Sequence, residues 1–180
     1  MRSVPPSGRR TCLALDRETT GGLVVIAGVG KRSPVAGVAR RMELDDALAF
    51  MGERKQGILL TQRANGRPQS SNVMYALTDG LLRISITADR AKYPNLRRTP
   101  QASLHVNRDD FWAYVVVDGD VELSDVVTAV DDPAADELVE VYRSIAGEHP
   151  DWDEYRQALV RDRRLVVRLR PTHAYGMLSR

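Results

Sequence analysis

The sequence is short of the residues that most often announce an activity. It has one cysteine in 180 residues, Cys12, so no intramolecular disulfide and no paired-thiol metal site is available. A lone thiol fits a reducing compartment, and a cytoplasmic location is the expectation; nothing around Cys12 supplies a base. The three histidines, His105, His149 and His173, are scattered without metal-ligand spacing, so no metal is expected. There is no Gly-rich dinucleotide fingerprint, no P-loop and no serine in a nucleophile elbow. The acid pairs Asp109–Asp110 and Asp131–Asp132 fall at turns and helix starts, where capping accounts for them. Hydrolytic machinery is not visible.

Long apolar runs are missing as well. "GGLVVIAGVG", residues 21–30, falls well short of the roughly 20 residues that a spanning helix needs. It is broken by glycine and lies too far from Met1 for a usual signal peptide, so no membrane is expected as a partner. The charge balance argues against another class. Residues 1–41 hold eight of the 26 basic residues and two of the 24 acidic ones, which leaves the remainder net acidic by four. The excess positive charge belongs to this first stretch. A nucleic-acid partner, which needs a basic face on the folded part, is not expected.

What is present is the composition of one ordinary domain: 43% hydrophobic and 28% charged residues, in a chain long enough for a real core. Residues 1–41, rich in Pro, Gly and Arg, read as a flexible basic extension; translation from Met42 is the other account. Residues 42–180 read as the domain. "ELDDALAFMGER" sets Leu44, Leu48 and Met51 at helical spacing behind a first turn of acids. "GILLTQR", the turn "ANG" and "RPQSSNVMYAL" read as a hairpin, and "TDG" turns the chain into "LLRISITA". After a short helix at residues 94–99, "QASLHVN" and "FWAYVVVDGDVEL" read as further strands. "DDPAADELVEVYRSIAG", with Pro133 near its start and Gly147 at its end, and "DWDEYRQALVRD" read as helices before the last strand, "RRLVVRLRPTHAYGML". The content is mainly β with short helices, an α+β composition. An antiparallel sheet of six or so strands hides its edges best by closing into a barrel.

One junction carries more than fold. "SITADRAKYPNLRRTP", residues 85–100, runs from a strand into a helix start and sets Arg90 and Lys92 beside it. A helix start offers unpaired N–H groups, and two adjacent cations suit a phosphate; a basic surface turn is the plain alternative. The chain has 23 arginines and only three lysines, so Lys92 stands out there.

The order of "GRPQSSNVMY", a strand, "SITADRAKYPNLRRTPQASLHV" and an aromatic strand resembles the split β-barrel flavin/deazaflavin-dependent oxidoreductases. These form the superfamily of pyridoxamine 5'-phosphate oxidase, an FMN-binding-like fold. The likeness covers residues 42–178 and is strongest to the actinobacterial branch that uses coenzyme F420, a 5-deazaflavin. It implies that Ser85, Ile86, Thr87, Arg90, Ala91, Lys92 and Asn95 bind the cofactor's phosphate. Pro94 departs from the family pattern and predicts a helix that starts at Pro94 itself, with Tyr93 extended.

The resemblance also implies that Gln69, Ser71 and Asn72 lie near the ring system or ribityl chain; the polar outer face of a strand is the alternative. Trp112, Ala113 and Tyr114 read as strand residues, with Trp112 and Tyr114 on one face. They form either a core stripe or, as the resemblance implies, a strand reaching the cofactor held mainly by the other subunit of a homodimer. The implied activity is hydride transfer from reduced F420 to an electron-poor organic acceptor. An FMN enzyme of the same fold, a carrier without turnover and a haem-binding split barrel are the alternatives. Tyr75, Tyr114 and His105 are candidate proton donors, with nothing to single one out.

Overall fold

The computed structural model describes residues 40–178. The expected extension therefore lies outside the described residues, save for its last two. In chain order the elements are β1 (Arg40–Arg41), α1 (Leu44–Gly52), β2 (Gln56–Gln62), β3 (Pro68–Met74), β4 (Ala76–Thr78) and β5 (Leu81–Thr87). There follow α2 (Lys92–Arg98), β6 (Gln101–Asn107), β7 (Tyr114–Leu123), α3 (Pro133–Ala146), α4 (Trp152–Arg161) and β8 (Arg164–Met177). Met42 donates its N–H to the Ala174 carbonyl at 3.0 Å, continuing the pairing that β1 begins on β8. Among the described residues, pairing is thus already present two residues ahead of the boundary read from composition.

All strands join one antiparallel sheet in the order β3-β2-β6-β7-β8-β5-β4, with β1 beside β8. The expected split-barrel class, mostly strand with a few short helices, is what the chain forms. Local chemistry sets the corners. Asp79 and Gly80, at φ 53° and 71°, form the two-residue turn between β4 and β5, a conformation that suits Asp and Gly. A bulge between Asp118 and Gly119 bends β7 against β8. At Gly119 a Cβ would lie 2.1 Å from the Arg170 carbonyl oxygen, so only glycine admits this close approach.

The concave side of the sheet holds the core, including Leu59, Leu82, Ile84, Leu104, Val115, Val117 and Leu165, all fully buried. A second, smaller cluster lies on the other side of β8, where Val166 meets Val127, Ala135, Leu138 and Leu159 under α3 and α4. β3 and β4, the opposite ends of the sheet order, are joined through the single residue Tyr75. Tyr75 is fully buried; its hydroxyl donates to the Met51 carbonyl at 2.7 Å and its N–H to the Lys55 carbonyl at 2.9 Å. Burial pushes its phenol well above the ordinary range.

Two local expectations are corrected. α2 begins at Lys92, not at Pro94. Proline at the third helical position gives up an N–H that has no intrahelical partner there, so the turn closes around it. β7 begins at Tyr114, not at Phe111. Phe111 takes φ 68°, and the Asp110 carboxylate accepts from Trp112 N–H at 3.0 Å and from Arg108 at 2.7 Å. These contacts make residues 108–113 a tight loop in place of extended strand.

Candidate functional site

β5 delivers the chain to the junction with strict alternation. Leu82, Ile84 and Ile86 point into the core, while Arg83, Ser85 and Thr87 face the other way. Ile86 is 3% exposed, so only its backbone can meet a ligand. The Ser85 hydroxyl accepts from Arg164 at 3.2 Å, and the Thr87 hydroxyl donates to the Asp89 carboxylate. Arg90 N–H closes onto the Thr87 carbonyl at 3.2 Å and Tyr93 N–H onto the Arg90 carbonyl at 2.9 Å, folding residues 87–93 tightly.

The cations here are poorly matched by acids. Arg90 is mostly exposed and has only Asp89 beside it, at 3.8 Å. Lys92 is half-buried and forms no ion pair with a described residue. Burial holds its ammonium below the usual lysine range, the like charge of Arg90 lowers it further, and Asp89 opposes both. Thr87, with the neighbouring charge of Arg90 and Lys92, holds Asp89 low in turn, its hydrogen bond from Thr87 being the largest cause.

Asn95 stands behind this surface. It is 6% exposed and its Nδ2 donates to Thr61 Oγ1 at 3.1 Å and to Gln69 Oε1 at 3.0 Å. Its Oδ1 accepts from Arg98 at 3.0 Å, which also reaches the Gln62 carbonyl. Without a ligand the Asn95 amide is engaged by Thr61, Gln69 and Arg98 and fixes α2 on β2 and β3. Gln69 belongs to the same network. The structure therefore brings Gln69 to α2, as the sequence order alone could not show.

Along β3 the alternation separates the remaining residues. Gln69, Ser71 and Val73 are half-buried, whereas Ser70, Asn72 and Met74 are exposed. Ser71 and Asn72 cannot present side chains to the same point. Asn72 instead lines an open concavity of about 980 Å³ together with Lys55, Ile58, Met74, His105 and Phe111. Asn72 and Ile58 are paired across β3 and β2, and Ile58 and His105 across β2 and β6, so the three form one row on the sheet. His105 Nε2 lies 3.0 Å from Asn107 Oδ1, and its ring is 5.3 Å from that of Tyr114.

The aromatic group splits across this end of the hairpin between β6 and β7. Ala113 is buried, Tyr114 is half-buried, and Trp112 and Phe111 are 72% and 77% exposed. Trp112 and Tyr114 are thus no core stripe. Of the candidate proton donors, Tyr75 is closed off by its buried bond to Met51, while His105 remains at the concavity. The concavity was missed in the sequence, because its lining comes from the end of α1, β2, β3, β6 and the following loop. Among the described residues no group of His, Cys, Asp and Glu is arranged to hold a metal, and no helix is long and apolar enough to cross a membrane.

Known proteins share this fold. A conserved hypothetical protein from Mycobacterium tuberculosis superposes with a TM-score of 0.57 at 23% identity, over 74% of this chain and 82% of that one. A structure described as an F420 reductase matches with a TM-score of 0.54 at 27% identity, over 69% of this chain and 93% of its own. A heme binding protein from Mycobacterium smegmatis matches with a TM-score of 0.55 at 20% identity, over 78% of this chain and 55% of its own. The family model described as pyridoxamine 5'-phosphate oxidase matches residues 44–178. The antiparallel sheet rolled around its main core is that family's flavin- and deazaflavin-binding fold, and the chain belongs to the pyridoxamine 5'-phosphate oxidase family.

Proposed function

We propose that the protein is an oxidoreductase that binds coenzyme F420 and reduces an electron-poor organic acceptor. The observation that carries this reading is Lys92, a half-buried ammonium that forms no ion pair with a described residue, set beside Arg90 at the end of β5. These residues fit a phosphate: Arg90 offers a fork, Lys92 a compact charge, and the tight turn at residues 87–93 fixes both. An arriving phosphate competes with Asp89 for Thr87, and two cations against one acid favour the phosphate. From the junction, β3 runs from Gln69 to Met74 toward the concavity, a path of roughly 17 Å at strand rise, suited to an elongated cofactor. When bound in its reduced form the deazaflavin supplies the hydride, and solvent supplies the proton that completes the reduced acceptor.

The likeness to an F420 reductase supports the deazaflavin over FMN, which remains the second reading because both cofactors present a phosphate. The site is proposed to lie between two copies of the chain. Three large apolar side chains left exposed, Met74, Phe111 and Trp112, gather at the concavity and the loop beside it, where a second copy would cover them. A cytoplasmic location is part of the same proposal.

Titration of the purified protein with F420 and with FMN tests the reading. Tighter binding of F420, followed by its oxidation with acceptors, supports the enzyme. Stoichiometric FMN in the purified protein favours the FMN reading, and F420 binding without turnover over a broad acceptor panel favours a carrier.

A further inference from the structure

We infer that the concavity at Lys55 is the acceptor pocket and that it selects acceptors carrying a carboxylate on an apolar body. The inference rests on the proposed acceptor reduction. The sequence gives no hint of it, since Lys55 sits in "GERKQG" with no motif around it.

The lining divides by chemistry. Ile58, Met74 and Phe111 supply an apolar wall and rim, and Gly57 lines the concavity with backbone alone. A Cβ at Gly57 would lie 3.1 Å from a Leu104 methyl and 3.2 Å from Val106, both fully buried, so it would point to the core and not into the concavity. An apolar body with few polar groups suits a lining of this kind.

The charges at the rim are largely satisfied among themselves. Arg54 contacts Glu53 at 3.3 Å, donates to the Phe50 carbonyl at 2.6 Å and lies 3.8 Å over the Phe50 ring. Arg108 is held by Asp110 at 2.7 Å. Asp109 is exposed and adds one negative charge. Lys55 is different: it is half-buried, lines the concavity, and forms no ion pair with a described residue. Its backbone is fixed, because its carbonyl accepts from the buried Tyr75 N–H at 2.9 Å. A compact cation on a fixed backbone beside an apolar wall recognises one anionic group on an otherwise apolar ligand. Asn72 and His105, in one row across the sheet, add polar groups for the electron-poor end.

The pocket is tested without the coenzyme first. Binding of 2-naphthoate and of its neutral amide, 2-naphthamide, to the full-length protein is followed by calorimetry, with wild type, Lys55→Ala and Lys55→Arg. The expected result is a preference for naphthoate of about tenfold in wild type, lost in Lys55→Ala and partly kept in Lys55→Arg. Equal affinity for the two probes in wild type, or a preference unchanged in Lys55→Ala, overturns the inference. The second measurement is turnover with a naphthoquinone bearing a carboxylate side chain and with its methyl ester. Lys55→Ala should raise KM for the acid and leave KM for the ester and kcat for both in place. F420 affinity should not change in Lys55→Ala; a fall as large as that in Lys92→Ala would assign Lys55 to the cofactor and sink the acceptor reading. Naphthoate binding without F420 binding would refute the proposed reaction and leave the pocket standing.

Discussion

Two arginine-rich regions flank the same strand, β5, and the chain treats them differently. On the outer face of β5 and β8, beneath α3, Arg83, Arg164 and Arg168 each have a carboxylate. Glu137 accepts from Arg83 at 3.1 Å and from Arg168 at 3.0 Å, Arg168 also reaches Glu122, and Arg164 lies 3.3 Å from Asp162. At the end of β5, around α2, the helix is fastened without any acid, by Asn95 to Thr61 and Gln69 and by Arg98 to Asn95 and the Gln62 carbonyl. Lys92 and Arg97 have no ion pair with a described residue, Arg97 lying only over the Tyr93 ring at 5.8 Å. Beneath α3 an acid of the same chain meets each of these cations. Where none does, at Lys92, the proposed partner is the anion of a ligand.

That contrast breaks most readily under α3. Glu137→Ala leaves two part-buried guanidinium groups without their shared partner and should cost about 2–4 kcal/mol in stability, read by denaturant unfolding. It should not alter F420 affinity. Hydrogen bonds from Arg168, then Arg83, hold the Glu137 carboxyl below its ordinary value. A depressed carboxyl stabilises the fold above its unfolded pKa, and that stability is lost as pH falls. The gap between wild type and Glu137→Gln should therefore be full above about pH 5 and close as pH drops below about 4.3.

The α2 side should answer in the opposite way. Lys92→Ala should leave the unfolding midpoint in place while weakening F420 binding by about ten- to a hundredfold, or 1.5–3 kcal/mol. Lys92→Arg should recover part of this, and Arg161→Ala, on the exposed side of α4, should do neither. Undiminished binding by Lys92→Ala would reduce the junction to a basic turn. Asn95→Ala falls between the two cases: loss of about 1–2 kcal/mol in stability, with weaker F420 binding following because α2 is no longer fixed. If binding falls with no change in stability, Asn95 touches the cofactor directly after all. The smallest effect belongs to the third basic region, residues 1–39. A chain beginning at Arg40 keeps β1 on β8 and should match the full chain in unfolding and in F420 affinity within about 0.5 kcal/mol.

The same contrast shows what the sequence could tell. Periodicity and turn chemistry were enough for the helices and most strands, since Leu82, Ile84 and Ile86 or Asp79–Gly80 announce their roles locally. The start of β7 was not legible, because "FWAYVV" alternates well enough to pass for strand and only the Asp110 side chain, folding back on Trp112 and Arg108, stops it. Pro94 misled in the other direction, its preference for an extended Tyr93 being weaker than the contacts that seat α2. At the site, the residue types at the junction were visible, but not their state of satisfaction. Asn95 and Lys92 look alike as polar letters three apart; one is engaged by Thr61, Gln69 and Arg98, and the other forms no ion pair with a described residue. The Lys55 concavity has no sequence signature, since strand pairing alone brings Asn72 and His105 to either side of Ile58.

The single residue between β3 and β4 sets how the barrel can open. The two rims of the sheet are consecutive in the chain, so they cannot drift apart by loosening pairings alone. They separate only if Tyr75 leaves its place, and both of its bonds end on the segment that follows α1 or on α1 itself. The rim, α1 and the wall carrying Lys55 thus form one hinge-less seam that opens all together or not at all. Its amides, Tyr75 foremost, should exchange with solvent as slowly as those of the central strands, although the seam lies at the margin of the sheet.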